Sequence, residues 1–126
     1  MDSNYTSRTS IAYITEKIRQ SDTSDSIHIT SQGDTQILML TNTIQGIPYA
    51  TSLYEYDGYL YELFARTDIE LPLDAGQPVM ELHRLSFSQL TPNILKITFT
   101  DTNEEDFSIY VSMHSDMPNN TEDNYE

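Results

Sequence analysis

Three clusters in the sequence hold side chains that could do chemistry. The first is Asp101-Thr102-Asn103-Glu104-Glu105-Asp106. Asp101, Asn103 and Glu105 fall at the 1-3-5 spacing of a calcium loop, where a hard cation gathers oxygens. The EF-hand template then needs Gly at 106 and Glu at 112, and the chain has Asp106 and Ser112. The run therefore reads as a solvated hairpin loop. The second cluster, Ser112, His114 and Asp116, spells the residue types of a hydrolase triad. A triad serine sits on an activated turn and its partners converge in space. No Gly-x-Ser-x-Gly is present, so alternation along one strand accounts for these three. The third is a stripe of tyrosines, Tyr54, Tyr56, Tyr59 and Tyr61. It could be a sticky ladder for a protein or glycan partner, or it could stabilise its own hairpin by aromatic pairs worth about 0.5–1.5 kcal/mol each.

The remaining candidates are weaker. His28, His83 and His114 lie far apart, with no cysteine and no pair of histidines one helical turn apart, so no zinc site is expected. With 20 acidic residues, the nearness of any two says nothing about a glycosidase pair. Four glycines leave no phosphate-cradling loop. No catalytic residue, cofactor or metal is expected, and the chain is not read as an enzyme.

Composition narrows the classes further. The 126 residues suit one domain, and a hydrophobic share of 37 % supports one modest core. Six basic against 20 acidic residues give a net charge of −14. Such a chain repels phosphate backbones and anionic lipid surfaces, so no nucleic-acid partner is expected. The absence of cysteine excludes disulfides and thiolate chemistry. The longest strongly aliphatic stretch, Ile37-Leu38-Met39-Leu40, is far short of the roughly 20 residues that span a bilayer. The chain reads as a soluble domain without a signal peptide.

The elements that would position these groups follow from periodicity. Residues 1–9 are a polar lead-in that continues into a helix over residues 10–20. Ile11, Ile14 and Ile18 form its apolar stripe, and Lys17 and Arg19 lie near its end, where cations suit the dipole. Everything beyond reads as strand. Ser26–Thr30 alternates with period two, Gln36–Thr41 is short and apolar, and Asn42–Gly46 is a turn. Tyr49–Tyr56 and Tyr59–Arg66 flank Asp57-Gly58, the strongest short hairpin signal, because both turn residues need positive φ. A two-residue turn pairs Tyr56 with Tyr59, Tyr54 with Tyr61 and Leu53 with Glu62. The four tyrosines then share one face, and Leu53, Leu60 and Phe64 share the other with Glu55 and Glu62. Residues 67–78 form a crossing loop. Val79–Leu90 reads as one alternating strand, followed by Ile94–Thr100 and Phe107–Met113. Residues 116–126 form an acidic tail with a disordered composition. The fold class is α+β: one N-terminal helix, its isoleucines down, on an antiparallel sheet of about six or seven strands over residues 10–115.

The run from Arg8-Thr9-Ser10-Ile11-Ala12-Tyr13-Ile14 through Glu16-Lys17-Ile18-Arg19-Gln20-Ser21-Asp22 resembles the helix of minor pilins and pseudopilins of type IV pilus, type II secretion and competence systems. The run from Tyr49-Ala50-Thr51-Ser52 through Asp57-Gly58 to Leu63-Phe64 is similar to a hairpin of an uncharacterised pilin-like family from Gram-positive bacteria. The late strands match in outline, so the resemblance covers about residues 8–115. It implies a pilin-like headgroup fold and a structural role outside the membrane, at the cell surface. The implied partners are other pilin-like subunits or assembly proteins. It also implies a membrane anchor, a hydrophobic N-terminal helix that this sequence does not contain. In that setting Ile11, Ile14 and Ile18 would hold the helix to the sheet. The alternative is a surface binding module that takes a glycan or protein on Tyr54, Tyr56, Tyr59 and Tyr61.

Overall fold

Two neighbouring hairpins set the frame. In each, a two-residue turn has positive φ at both positions: Gln45 (51°) with Gly46 (82°), and Asp57 (54°) with Gly58 (84°). That geometry matches the right-handed twist of the flanking strands, so it closes tight hairpins. In the computed structural model, which describes residues 3–21 and 26–113, the helix α1 (Ser3–Gln20) precedes eight strands. β1 (Ile27–Gln32), β2 (Thr35–Ile44), β3 (Ile47–Tyr56), β4 (Tyr59–Arg66) and β5 (Gln77–Glu81) pair in chain order as one antiparallel sheet. β6 (His83–Thr91), β7 (Ile94–Thr100) and β8 (Asp106–Ser112) form a second.

The expectation of a single sheet of six or seven strands beneath the helix is therefore corrected to two sheets, of five and three strands. The error lies in the run Val79–Leu90. It alternates as one strand would, but the chain leaves the first sheet at Leu82 and enters the second at His83. Leu82 is buried at this corner, and its N–H donates to the Gly58 carbonyl (3.0 Å). Arg84 takes φ 54°, costly for a residue with a Cβ. Its N–H donates to Glu55 Oε1 at 2.8 Å, which holds the strained turn in place. Strands that switch sheets turn on such bends. Here neither glycine nor proline marks the bend in sequence.

The second sheet lies over the first. β6 crosses β2, β3 and β4. The N–H of Phe87 on β6 donates to Gln36 Oε1 of β2 (2.8 Å), so side chains of the large sheet satisfy the edge of the small one. Leu38, Leu40, Leu53 and Leu60 of the first sheet meet Phe87, Leu95, Ile97 and Phe99 of the second in one core. Each such side chain, fully buried, contributes about 1.5–3 kcal/mol.

α1 completes that core from beside β8. It begins at Ser3, so most of the polar lead-in is already helical. Its buried line is Ser10, Ile14 and Ile18, at i, i+4 and i+8, and Ser21 just past its end continues it. Ile11 lies on the flank, only partly buried. Two small serines let the helix sit close to the sheets, and Ser10 Oγ donates to Met80 Sδ of β5 (3.0 Å). The acidic tail, His114 and Asp116 lie outside the described residues.

Candidate functional site

The tyrosine hairpin has the register that its turn imposes. Tyr56 pairs with Tyr59, Tyr54 with Tyr61 and Leu53 with Glu62. Leu53 and Leu60 point into the core. The tyrosines point the other way, but they do not form an open ladder. Tyr54 is completely buried, Tyr56 and Tyr61 are half-buried, and Tyr59 alone is exposed. Tyr61 stacks on Tyr54 (ring centroids 5.8 Å) and meets Tyr56 edge-on (5.3 Å).

What covers Tyr54 is the segment from Thr67 to Gly76, which folds back across the outer face of the large sheet like a strap. Pro72 leads into a single 3-10 turn, Leu73–Ala75, whose Leu73 carbonyl accepts the Tyr54 hydroxyl (2.5 Å). Burial in this setting pushes the Tyr54 hydroxyl up to about 12, with Tyr61 and Asp74 nearby adding to the shift. Gly76 closes the strap by close approach and not by special backbone angles. A Cβ there would sit 2.5 Å from the Tyr54 hydroxyl and 3.0 Å from the Glu62 carbonyl. A hollow of about 300 Å³ remains between strap and sheet, floored by the small residues Ala50, Ser52 and Ala65.

On the opposite face of the same hairpin, Glu62 anchors the helix. Tyr13 donates its hydroxyl proton to Glu62 Oε1, and Lys17 Nζ bonds Oε2 at 2.9 Å. Burial raises the Glu62 carboxyl above its ordinary value. The other side of α1, with Arg8, Ala12 and Glu16, borders a wide shallow hollow.

The remaining chemical candidates resolve into structure. Asp101 is fully buried, and its Oδ1 accepts the N–H groups of Asn103 and Glu105 (both 2.9 Å). It organises the β7–β8 loop from within, an Asx-type turn. Thr100 Oγ1 donates to Asp106 (2.8 Å). His28 sits on β1, and His83 lies 3.4 Å from Glu81 at the sheet corner, so the two are not brought together. Among the described residues no group of three or more His, Asp or Glu is placed to hold a metal ion. Ser112 is exposed at the end of β8, and its supposed partners lie outside the described residues.

The model of DUF4860, a domain of unknown function, matches residues 5–102. The chain belongs to this family. The DUF4860 match takes in α1 from its third residue, both tight hairpins, the strap and the sheet corner, and it ends in the loop before β8. No curated protein and no solved structure matches the chain. Sequence reasoning missed two features inside the DUF4860 segment. One is the strap latched on Tyr54. The other is an exposed apolar face on the β2–β3 hairpin, where Ile44 and Ile47 pair across the strands and the rings of Tyr49 and Phe64 stack 5.2 Å apart. The alternation of Ile47, Tyr49 and Thr51 carried that second signal.

Proposed function

We propose that this chain is the non-catalytic, extracytoplasmic head of a membrane-anchored, minor-pilin-like or pseudopilin-like subunit, and that it works by assembly with other subunits. The observation that carries the reading is the seating of α1. One side of the helix, Ser10, Ile14 and Ile18, is buried against the sheets, as is Ser21 just past its end. The other side, with Arg8, Thr9, Ala12 and Glu16, is exposed. A helix that grips its own head with one flank and leaves the other open can contact neighbouring subunits without unfolding anything. The resemblance of residues 8–22 to minor-pilin helices supports the same reading, and the acidic surface suits a domain outside the membrane. The tyrosine face does not favour the alternative of a glycan- or protein-binding ladder, since Tyr54 is spent on the strap.

The test is the coding sequence ahead of Met1. The expected result is a leader followed by about 20 apolar residues continuous with α1, and a membrane-bound product when the whole gene is expressed. A native start at Met1 with nothing hydrophobic before it overturns the reading.

A further inference from the structure

From Thr35 to Tyr54 the chain carries no charged residue, the longest such run in a sequence with 20 acidic and 6 basic side chains. The run contains all of β2 and the part of β3 that pairs with it, Ile47–Leu53, and its end, Asn42–Pro48, is exposed throughout. Period two and the register place Ile44, Ile47 and Tyr49 on one face, with Phe64 of β4 beside them. This is the face that, further along the same strands, supplies Leu38, Leu40 and Leu53 to the core. The core-forming surface thus runs on past its cover and ends bare: Ile44 is 47 % and Phe64 53 % exposed. The Tyr49 and Phe64 rings lie parallel within 2°, a flat wall already built. At the margin, Arg66 stands opposite Tyr49 and grips Asp68 with two bonds, of 2.8 and 3.2 Å.

We propose that this face docks a second copy of the chain, hairpin against hairpin about a two-fold axis. A two-fold contact needs a patch complementary to itself. Apolar side chains meeting apolar side chains satisfy that, and so does a margin that carries Arg66 and Asp68 side by side. Charge selects the occupant. Two bodies of net charge −14 repel each other, and the charge-free end of this hairpin is where they meet without setting carboxylate against carboxylate. A basic partner would draw on the acidic surface instead and would gain nothing from a neutral one. The patch is small, so the dimer is weak. Because its opposing force is long-range repulsion, salt strengthens it. The inference concerns this chain alone and does not rest on the pilin-like reading; a missing apolar segment upstream would end that reading and leave the dimer standing.

The experiment is sedimentation equilibrium of the full 126-residue chain up to about 1 mM, at about 0.05 and 0.5 M NaCl. The expected result is a monomer–dimer equilibrium that tightens in high salt. Ile47→Asp should weaken it at least about tenfold, or about 1.4 kcal/mol, without shifting the melting temperature. Ile44→Ser is a milder second variant with the same expected direction. Leu90→Asp, at the exposed β6–β7 end, should leave the dimer intact. A chain that stays monomeric at every concentration overturns the proposal. So does a dimer that salt weakens, one that survives both hairpin substitutions, or one that Leu90→Asp disrupts equally.

Discussion

The β2–β3 and β3–β4 hairpins share a strand and the same turn geometry, yet they meet opposite fates. The β3–β4 hairpin is clothed on both faces around Leu53, Tyr54 and Leu60. Leu53 and Leu60 lie under the second sheet and the helix, and Tyr54 lies under the strap. The outer half of β2–β3 is bare on the face that elsewhere makes the core. Local turn chemistry explains why both form and says nothing about what covers them. Cover comes from distant segments: α1 reaches Glu62 and the strap carbonyl of Leu73 reaches Tyr54. A turn signal therefore locates a hairpin, while its role depends on what the rest of the chain leaves uncovered.

The largest effect should come from stripping the cover off the clothed hairpin. Ile14→Asp places an unpaired charge in the core, and a loss on the order of 3 kcal/mol or more is expected. Chemical denaturation measures it; an unchanged midpoint would mean the helix does not dock there. Next comes a direct contrast between the hairpins. Leu60→Ala should cost about 2–5 kcal/mol by opening a cavity, whereas Ile47→Ala, at an exposed tip, should stay within about 0.5 kcal/mol. Comparable losses at both positions would erase the distinction. Gly76→Ala should cost about 1–3 kcal/mol by overpacking the strap. Adding Tyr54→Phe should recover part of that loss, because the hydroxyl is the nearest atom to the new methyl group. A double variant no better than the sum of the two singles would place the clash elsewhere.

The smallest effect is in pH. The Tyr54 hydroxyl is raised from 10.0 to about 12 in the folded chain. A raised folded value means the native state keeps its proton longer than the unfolded state does. The contribution of Tyr54 is thus complete below pH 10 and is lost as pH rises toward 12. Thermal melts of the wild type and Tyr54→Phe across this window should show a steeper decline for the wild type. Parallel curves would mean that Tyr54 is not buried under the strap.

Legibility in the sequence followed the range of each interaction. Asp57-Gly58 between two tyrosine-rich runs sufficed to give the β3–β4 register residue by residue. The β2–β3 turn was misplaced: Asn42–Gly46 reads as a polar turn, but Asn42–Ile44 continue the strand and only Gln45-Gly46 turn. Gln at positive φ carries little local signal. The sheet corner at Leu82–Arg84 was invisible because a buried leucine and a carboxylate, Glu55, stabilise it from afar. Ile14 and Ile18 were found from helical spacing. Their companions Ser10 and Ser21 were not, since buried serines leave no hydropathy trace. The register puts the four tyrosines on one face, and the strap over it was missed because the latch is a backbone carbonyl in a loop. The acidic run was read as a solvated hairpin loop, whereas Asp101 is buried and accepts the N–H groups of Asn103 and Glu105 from within it.

The most direct test is amide hydrogen exchange on the full chain at low and high concentration. In dilute solution the amides of Asn42–Ile47 should exchange by local opening, far faster than those of Leu53–Leu60, which should approach the global limit. At high concentration the Asn42–Ile47 amides should slow while Leu53–Leu60 stay unchanged. Equal protection of both hairpins in the dilute monomer, or no response of Asn42–Ile47 to concentration, would contradict the account of one hairpin covered from within and the other by a second copy.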